Sequence, residues 1–255
     1  MTPQIIIHTG QVIGRDHLLM GKNCQDALAI ATDTNILVGV ICDGCGEGGY
    51  SEVGARLGCQ FIASQALLLL KKGISPFTLP QLLYWKTIAF LEQLLGCYTF
   101  NSIQDRANFT QNHFLFTVNG FLLTPEVLLF FSSGDGIRIV GEKLEVLDQN
   151  NQPLYIGYHL VDPTLLTPSL TPRPTSFDTT PVDPQCIDKF AIGSDAWVIE
   201  QALLTEVWSI RHPNGLQRFL NLKSRERHFT DDASLITVQR QSRRLPWTQL
   251  LTPKR

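Results

Sequence analysis

Little in this sequence speaks for a partner held by bulk charge. Only 17% of its 255 residues are charged and the formal net charge is −2. That leaves no basic face for a polyanion, so no nucleic-acid partner is expected. The single basic cluster, Arg240 to Arg244 with Lys254-Arg255, reads as a solvated tail over 240–255. A zinc site of the paired-cysteine kind is also missing: Cys42 and Cys45 have the C-x-x-C spacing, but no second pair follows. The six cysteines (Cys24, Cys42, Cys45, Cys59, Cys97 and Cys186) read as reduced, mostly buried thiols of a cytoplasmic protein. Met1-Thr2-Pro3-Gln4 is not followed by the basic and apolar stretches of a signal peptide. Purely apolar runs such as Ala66 to Leu70 are too short to span a bilayer, so no membrane partner is expected. There is no internal repeat.

What is present is an ordinary globular share of apolar residues, 44%. A chain of this length, folded as one domain over 1–255, buries roughly 75% of its unfolded surface without disulfide help. Several short runs read as strands: Ile5 to Ile7, Ile36 to Cys42, Leu115 to Leu123, Val127 to Phe131, Ile137 to Val140, Phe190 to Ile192 and Leu235 to Val238. Asp135-Gly136, before Ile137, is a hairpin signal. Two long helices are expected. Ser51 to Leu70 has Ser51 as its cap and Val53, Leu57, Phe61 and Ile62 as its apolar face. Leu79 to Tyr98 repeats Leu83, Thr87, Leu91 and Leu94. A shorter helix is expected over Trp197 to Val207. Strands at both ends around two adjacent helices make an α+β pattern. The stretch 153–184 is rich in proline and threonine and reads as a long loop, either a functional flap or an insertion.

The sharpest local feature is Asp43-Gly44-Cys45-Gly46-Glu47-Gly48-Gly49. An acid at the end of a buried strand, followed by glycines that let a carbonyl approach a ligand, supplies hard oxygen ligands for a divalent cation. A glycine-rich turn with a capping Asp has the same look. Other acids also fall at strand ends: Asp26, Asp135, Asp195 and the pair Asp231-Asp232. Gathered at one sheet edge they would repel one another unless cations neutralised them, and such a cluster suits two metal ions that activate a water.

In order along the chain stand Gln25-Asp26, the block Val38 to Gly58 around Asp43-Gly44, Ser133-Gly134-Asp135-Gly136, Ser194-Asp195-Ala196 and Asp231-Asp232. This order resembles the metal-dependent type 2C (PPM) serine/threonine protein phosphatases, bacterial branch. The resemblance implies a four-layer α-β-β-α sandwich of two antiparallel sheets flanked by helices. It also implies two divalent ions, Mn²⁺ or Mg²⁺, held by Asp43, the Gly44 carbonyl, Asp195 and Asp231, with Asp26 positioning a metal-held water. Where the family has a histidine after Asp-Gly, this chain has Cys45. Where the family has a phosphate-binding arginine, the nearby stretch offers His17 and Lys22. The implied activity is metal-dependent hydrolysis of phosphoserine or phosphothreonine in a phosphoprotein substrate. A weakly catalytic binding module, or a small-metabolite phosphatase using the same metal site, are the alternatives.

Overall fold

The computed structural model describes residues 5–149, 153–167, 170 and 173–240; most of the expected basic tail lies outside them. Among the described residues, ten strands form two five-stranded sheets, antiparallel throughout. In chain order the elements are β1 (Ile5–Val12), α1 (Arg15–Met20), β2 (Asp26–Asp33), β3 (Ile36–Asp43), α2 (Ser51–Lys71), α3 (Leu79–Leu95), α4 (Ile103–His113), β4 (Val118–Leu123), β5 (Leu128–Ser133), β6 (Gly136–Val140), β7 (Lys143–Leu147), β8 (Asp178–Val182), β9 (Lys189–Gly193), α5 (Leu204–Val207), α6 (Gly215–Arg225) and β10 (Ala233–Arg240). One sheet runs β1-β10-β9-β6-β7 and the other β2-β3-β4-β5-β8.

Three apolar layers follow from strands buried on both faces, which read as continuous apolar runs. On β3, Leu37 and Ile41 point between the sheets, where they join Phe121, Phe130, Phe190, Ile192 and Ile236. Val38, Val40 and Cys42 point the other way, onto α2 and α3, with Cys59, Ile62 and Leu83. Beyond the other sheet, α5 and α6 cover Ile137, Ala191 and Leu235, together with the fully buried Trp197. The result is the expected four-layer α-β-β-α sandwich.

Several local expectations are corrected. Val53 and Leu57 are each 41% exposed; α2 instead buries Ala55, Cys59, Ile62 and Ala66. Small residues form its packing face because the backbones come close. A Cβ on Gly54 would lie 2.1 Å from the His113 carbonyl oxygen, and one on Gly58 would lie 2.4 Å from the Phe116 ring. Ser51 is the first helical residue rather than the cap, which is Tyr50; its hydroxyl donates back to the Cys45 carbonyl at 3.0 Å. By length and composition α2 could cross a bilayer, but half of its most apolar window is buried inside the fold.

Asp135-Gly136 does not close a hairpin. It carries the chain from β5 in one sheet to β6 in the other. The Asn119 side-chain amide pins the crossover by donating to the Ile137 carbonyl at 2.8 Å and the Gly193 carbonyl at 3.1 Å. The expected helix over Trp197 to Val207 breaks into two 3₁₀ turns and the four-residue α5, since the Trp197 indole is drawn inward to donate to the Ser234 carbonyl at 3.0 Å. The proline-rich stretch is not all loop: its described residues include the 3₁₀ turns Ile156–Leu160 and Pro163–Leu165, and then β8. Proline is tolerated in β8 because that strand is a sheet edge. Of the six thiols only Cys42 and Cys59 are buried, while Cys97 and Cys186 are exposed.

Candidate active site

The ends of the strands deliver the acids to one cavity of about 670 Å³. Asp43 ends β3, Asp135 sits at the β5–β6 crossover, Asp195 follows β9 and Asp231 precedes β10; all four line the cavity. No Lys, Arg or His is among its described lining residues. Asp26 lies directly behind. It is the antiparallel partner of Asp43 in the β2–β3 ladder, and it is fully buried.

The electrostatics record the crowding. Loss of water pushes the Asp43 carboxyl well above the ordinary carboxylate range, and the charges of Asp26, Asp195 and Asp231 push it further. Asp195 is raised for the same reasons, by burial first and then by Asp231 and Asp135. Burial raises Asp135 as well, with the Gln149 backbone N–H pulling the other way. Burial and the neighbouring Asp232 charge push Asp26 up to about 8, against the opposing pull of the Ser234 and Ser194 hydroxyls. Several carboxylates facing one cavity, with a fully buried acid behind them, form an all-oxygen donor set suited to hard divalent cations.

The loop after Asp43 is fixed by its own backbone. The Gly44 N–H donates to the Gln25 carbonyl at 3.1 Å and the Cys45 N–H to the Leu115 carbonyl at 2.9 Å. A Cβ on Gly44 would lie 2.7 Å from the Ser51 hydroxyl and 2.9 Å from the Gln25 carbonyl, so glycine is required for this approach. Thr117 clasps Asp43 from the facing segment. Its N–H donates to the Asp43 carbonyl at 2.7 Å, and its hydroxyl accepts from the Asp43 N–H at 3.3 Å.

Asp231 and Asp232 part company. Asp232 is buried, and its two oxygens accept from the Gly14 N–H at 2.6 Å and the Gln25 N–H at 2.5 Å. The Asp231 side chain is 61% exposed and opens onto the cavity. His17 stands on the far side of this pair, with Nδ1 2.9 Å from Asp232 Oδ2 and 3.9 Å from Asp231 Oδ1. His17, Asp231 and Asp232 each place a potential ligand atom within 4.8 Å of the others. Both oxygens of Asp232 are already committed to backbone donors, so this trio works as a clasp between α1 and β10. Neither His17 nor Lys22 lines the cavity; Lys22 Nζ donates to the Gly46 carbonyl at 2.5 Å and staples the glycine loop instead.

Sequence reasoning did not single out Thr117, Glu47, Tyr155 or Tyr158, all of which line the cavity. Only their place in the fold brings them there. Asp135 was visible as an acid at a turn, although nothing in its spacing ranked it with Asp43.

Solved structures share this architecture. A bacterial serine phosphatase superposes with a TM-score of 0.57 at 16% identity, over 91% of this chain and 96% of its own. Serine/threonine phosphatase Stp1 from Staphylococcus aureus gives a TM-score of 0.55 at 16% identity, over 91% and 94%. The catalytic domain of the serine/threonine protein phosphatase PstP, crystallised with two manganese ions, gives a TM-score of 0.55 at 14% identity, over 94% and 99%. A search of curated protein sequences returns no significant match. The sequence does match the family profile described as protein phosphatase 2C over residues 13–195, well over half its length. That match, on a two-sheet sandwich with its acids gathered at one edge, makes this chain a member of the protein phosphatase 2C family.

Proposed function

We propose that this protein hydrolyses phosphoserine or phosphothreonine in a phosphoprotein substrate, in a reaction that depends on two divalent cations, Mn²⁺ or Mg²⁺. The observation that carries the reading is the convergence of Asp43, Asp135, Asp195 and Asp231 on one cavity with no basic side chain among its described lining residues. Two cations there would neutralise the carboxylates and lower the pKa of a water to make it a nucleophile near neutral pH. Asp43, the Gly44 carbonyl, Asp195 and Asp231 are the groups that would hold them. Asp26, buried directly behind Asp43 as its cross-strand partner, would accept a hydrogen bond from the attacking water and keep it oriented. Thr117 and the Gln25 carbonyl fix the Asp43-Gly44 backbone, so the ligand oxygens need not reorganise. Attack on phosphorus in line with the leaving seryl or threonyl oxygen then requires no phosphorylated protein intermediate. The manganese ions in PstP support the choice of cation.

The test is hydrolysis of a phosphothreonine peptide by protein dialysed against chelator, with and without added Mn²⁺, for the wild type and Asp43→Asn. Turnover is expected only in the wild type with Mn²⁺. Metal-independent turnover, or an unimpaired Asp43→Asn variant, sinks the proposal.

A further inference from the structure

Beside the acidic cavity lies a second one, of about 330 Å³. Cys45, Glu47 and Tyr158 line both, so the two share a wall. Their chemistry differs. The first gathers four aspartates. In the second, Glu47 on the shared wall is the one acid among the described lining residues, and no Lys, Arg or His accompanies it there. Four leucines take the place of the aspartates, Leu115, Leu165, Leu166 and Leu170, together with the carboxamides of Gln111 and Asn112.

Backbone bonds hold this second cavity in place. Leu115 is buried, and its carbonyl accepts from the Cys45 N–H at 2.9 Å, which ties it to the loop after Asp43-Gly44. The last turn of α4 supplies Gln111 and Asn112. Asn112 is spent on structure: its carbonyl accepts from the Tyr50 N–H at 2.9 Å, its side-chain oxygen accepts from the Gly49 N–H at 3.2 Å, and its amide donates to the Asn108 carbonyl at 2.8 Å. Leu165 and Leu166 come from the 3₁₀ turn Pro163–Leu165, whose cap Asp162 accepts from the Thr164 N–H at 2.9 Å and from its hydroxyl at 2.7 Å. Leu165, Leu166 and Leu170 are only half-buried, so apolar surface around the space is left uncovered. A hollow of about 150 Å³ already lodges benzene, and this one has room for a large side chain. An extended peptide advances roughly 3.3–3.6 Å per residue. A residue close to a phosphorylated one in the acidic cavity therefore reaches a space that shares its wall.

We propose that the second cavity is a specificity subsite for the phosphoprotein substrate, seating an apolar side chain that flanks the phosphorylated residue against Leu115, Leu165, Leu166 and Leu170. This deepens the phosphatase reading and rests on it. It also gives the proline-rich stretch a part in substrate choice, since that stretch supplies three of the four leucines. An acidic flanking residue is disfavoured there, because it meets Glu47 and no cation among the described lining residues.

The test uses phosphothreonine peptides in one alanine-rich background, with Leu, Asp or Lys placed in turn at each of the two positions on either side of the phosphothreonine. An aryl phosphate, too small to reach the second cavity, is the control substrate. With the Mn²⁺-loaded wild type, Leu at one of these positions is expected to raise kcat/KM about tenfold over Ala, within the range that added methylenes give in an apolar pocket. The gain should fall on KM, because a flanking contact is the same in the ground and transition states. Asp at that position should fall below Ala. Leu166→Ala and Leu166→Asp should each cut the Leu preference to about threefold or less, with aryl phosphate turnover and the Mn²⁺-induced rise in melting temperature as in the wild type. Equal kcat/KM for all the peptides, or a Leu preference that both variants keep, overturns the subsite alone. So does Lys as the best residue, which would assign selection to Glu47 and not to the leucines. A preference lost in both variants only together with aryl phosphate turnover also counts against a separate seat. Turnover of the aryl phosphate but of no peptide counts against both the subsite and a phosphoprotein substrate. A wild type that hydrolyses neither overturns the phosphatase reading beneath.

Discussion

Asp26 and Asp43 are cross-strand partners at the end of the β2–β3 ladder, two acids set side by side where the sheet meets the cavity. A one-residue slip of the register would send one of them to the opposite face. The pairing comes at a cost in the metal-free protein, and that cost makes a first prediction.

Both carboxyls are raised in the fold, Asp26 to about 8, whereas in the unfolded chain they titrate near 4. Above pH ~4 the unfolded state has released protons that the folded state still holds, so stability falls as pH rises. In chelator, the thermal midpoint should drop steadily from about pH 5 to about pH 8, the window these shifts define. With saturating Mg²⁺ the drop should shrink or reverse, because the cation takes the place of the protons. Melts across this range in both conditions decide it, and a flat or rising profile in chelator would falsify the crowded-carboxylate picture.

The neighbours Asp231 and Asp232 should respond oppositely to loss of charge. Asp232→Ala strands two buried backbone donors, those of Gly14 and Gln25, and the His17 ring. At roughly 1–3 kcal/mol for each stranded donor, a loss of about 3–5 kcal/mol is expected. For a domain of this size that lowers the melting temperature by roughly 6–20 °C. Asp231→Asn removes an exposed charge and should leave the chelated melt within a degree or two, while most of the Mn²⁺-induced rise disappears. Thermal melts with chelator and with Mn²⁺ separate the two; an Asp231→Asn protein that keeps its full Mn²⁺ shift excludes Asp231 as a ligand.

Two glycines flanking α1 give a paired test of close approach against backbone strain. Gly14 has an ordinary φ of −69°, but a Cβ there would lie 2.2 Å from the Asp231 carbonyl carbon. Gly14→Ala must push the Asp231 backbone away, so it should cost about 1–3 kcal/mol and also weaken metal uptake. Gly21 caps α1 in the left-handed region, at φ 68°, with nothing within 4 Å of its would-be Cβ. Gly21→Ala should cost about 1 kcal/mol through strain alone and leave Mg²⁺ affinity unchanged. Stability and Mg²⁺ titrations of both variants read this directly. Equal metal affinity in the two would show that Gly14 does not position Asp231.

The acids were legible because chemistry and local pattern coincide on them. An apolar run that stops at Asp43-Gly44, and Asp-Asp just before Ala233, read the same in one dimension as in three. The order of these blocks carried the family, and with it the four layers. Local periodicity carried less. It put Val53 and Leu57 inside, yet the first half of α2 lies so close to the segment after α4 that Gly54, Ala55, Gly58 and Cys59 make its inner face there. It took Asp135-Gly136 for a hairpin, because a turn signal says that the chain reverses and not which sheet receives it.

By itself, then, the sequence determined seven of the ten described strands, the acids at their ends and the metal chemistry those acids suit, since burial patterns and carboxylate spacing are written residue by residue. Only the tertiary structure decided which partners each of these groups meets. It gave Asp232 to backbone donors and left Asp231 open to the cavity. It spent Lys22 on the Gly46 carbonyl and His17 on Asp232, and it brought Tyr155, more than a hundred residues along the chain, into the same cavity wall as Cys45. The physical reason is that a carboxylate, an ammonium or a phenol is defined chemically by its type, but its role depends on which partners claim its lone pairs and protons. Those partners lie on elements far apart in sequence.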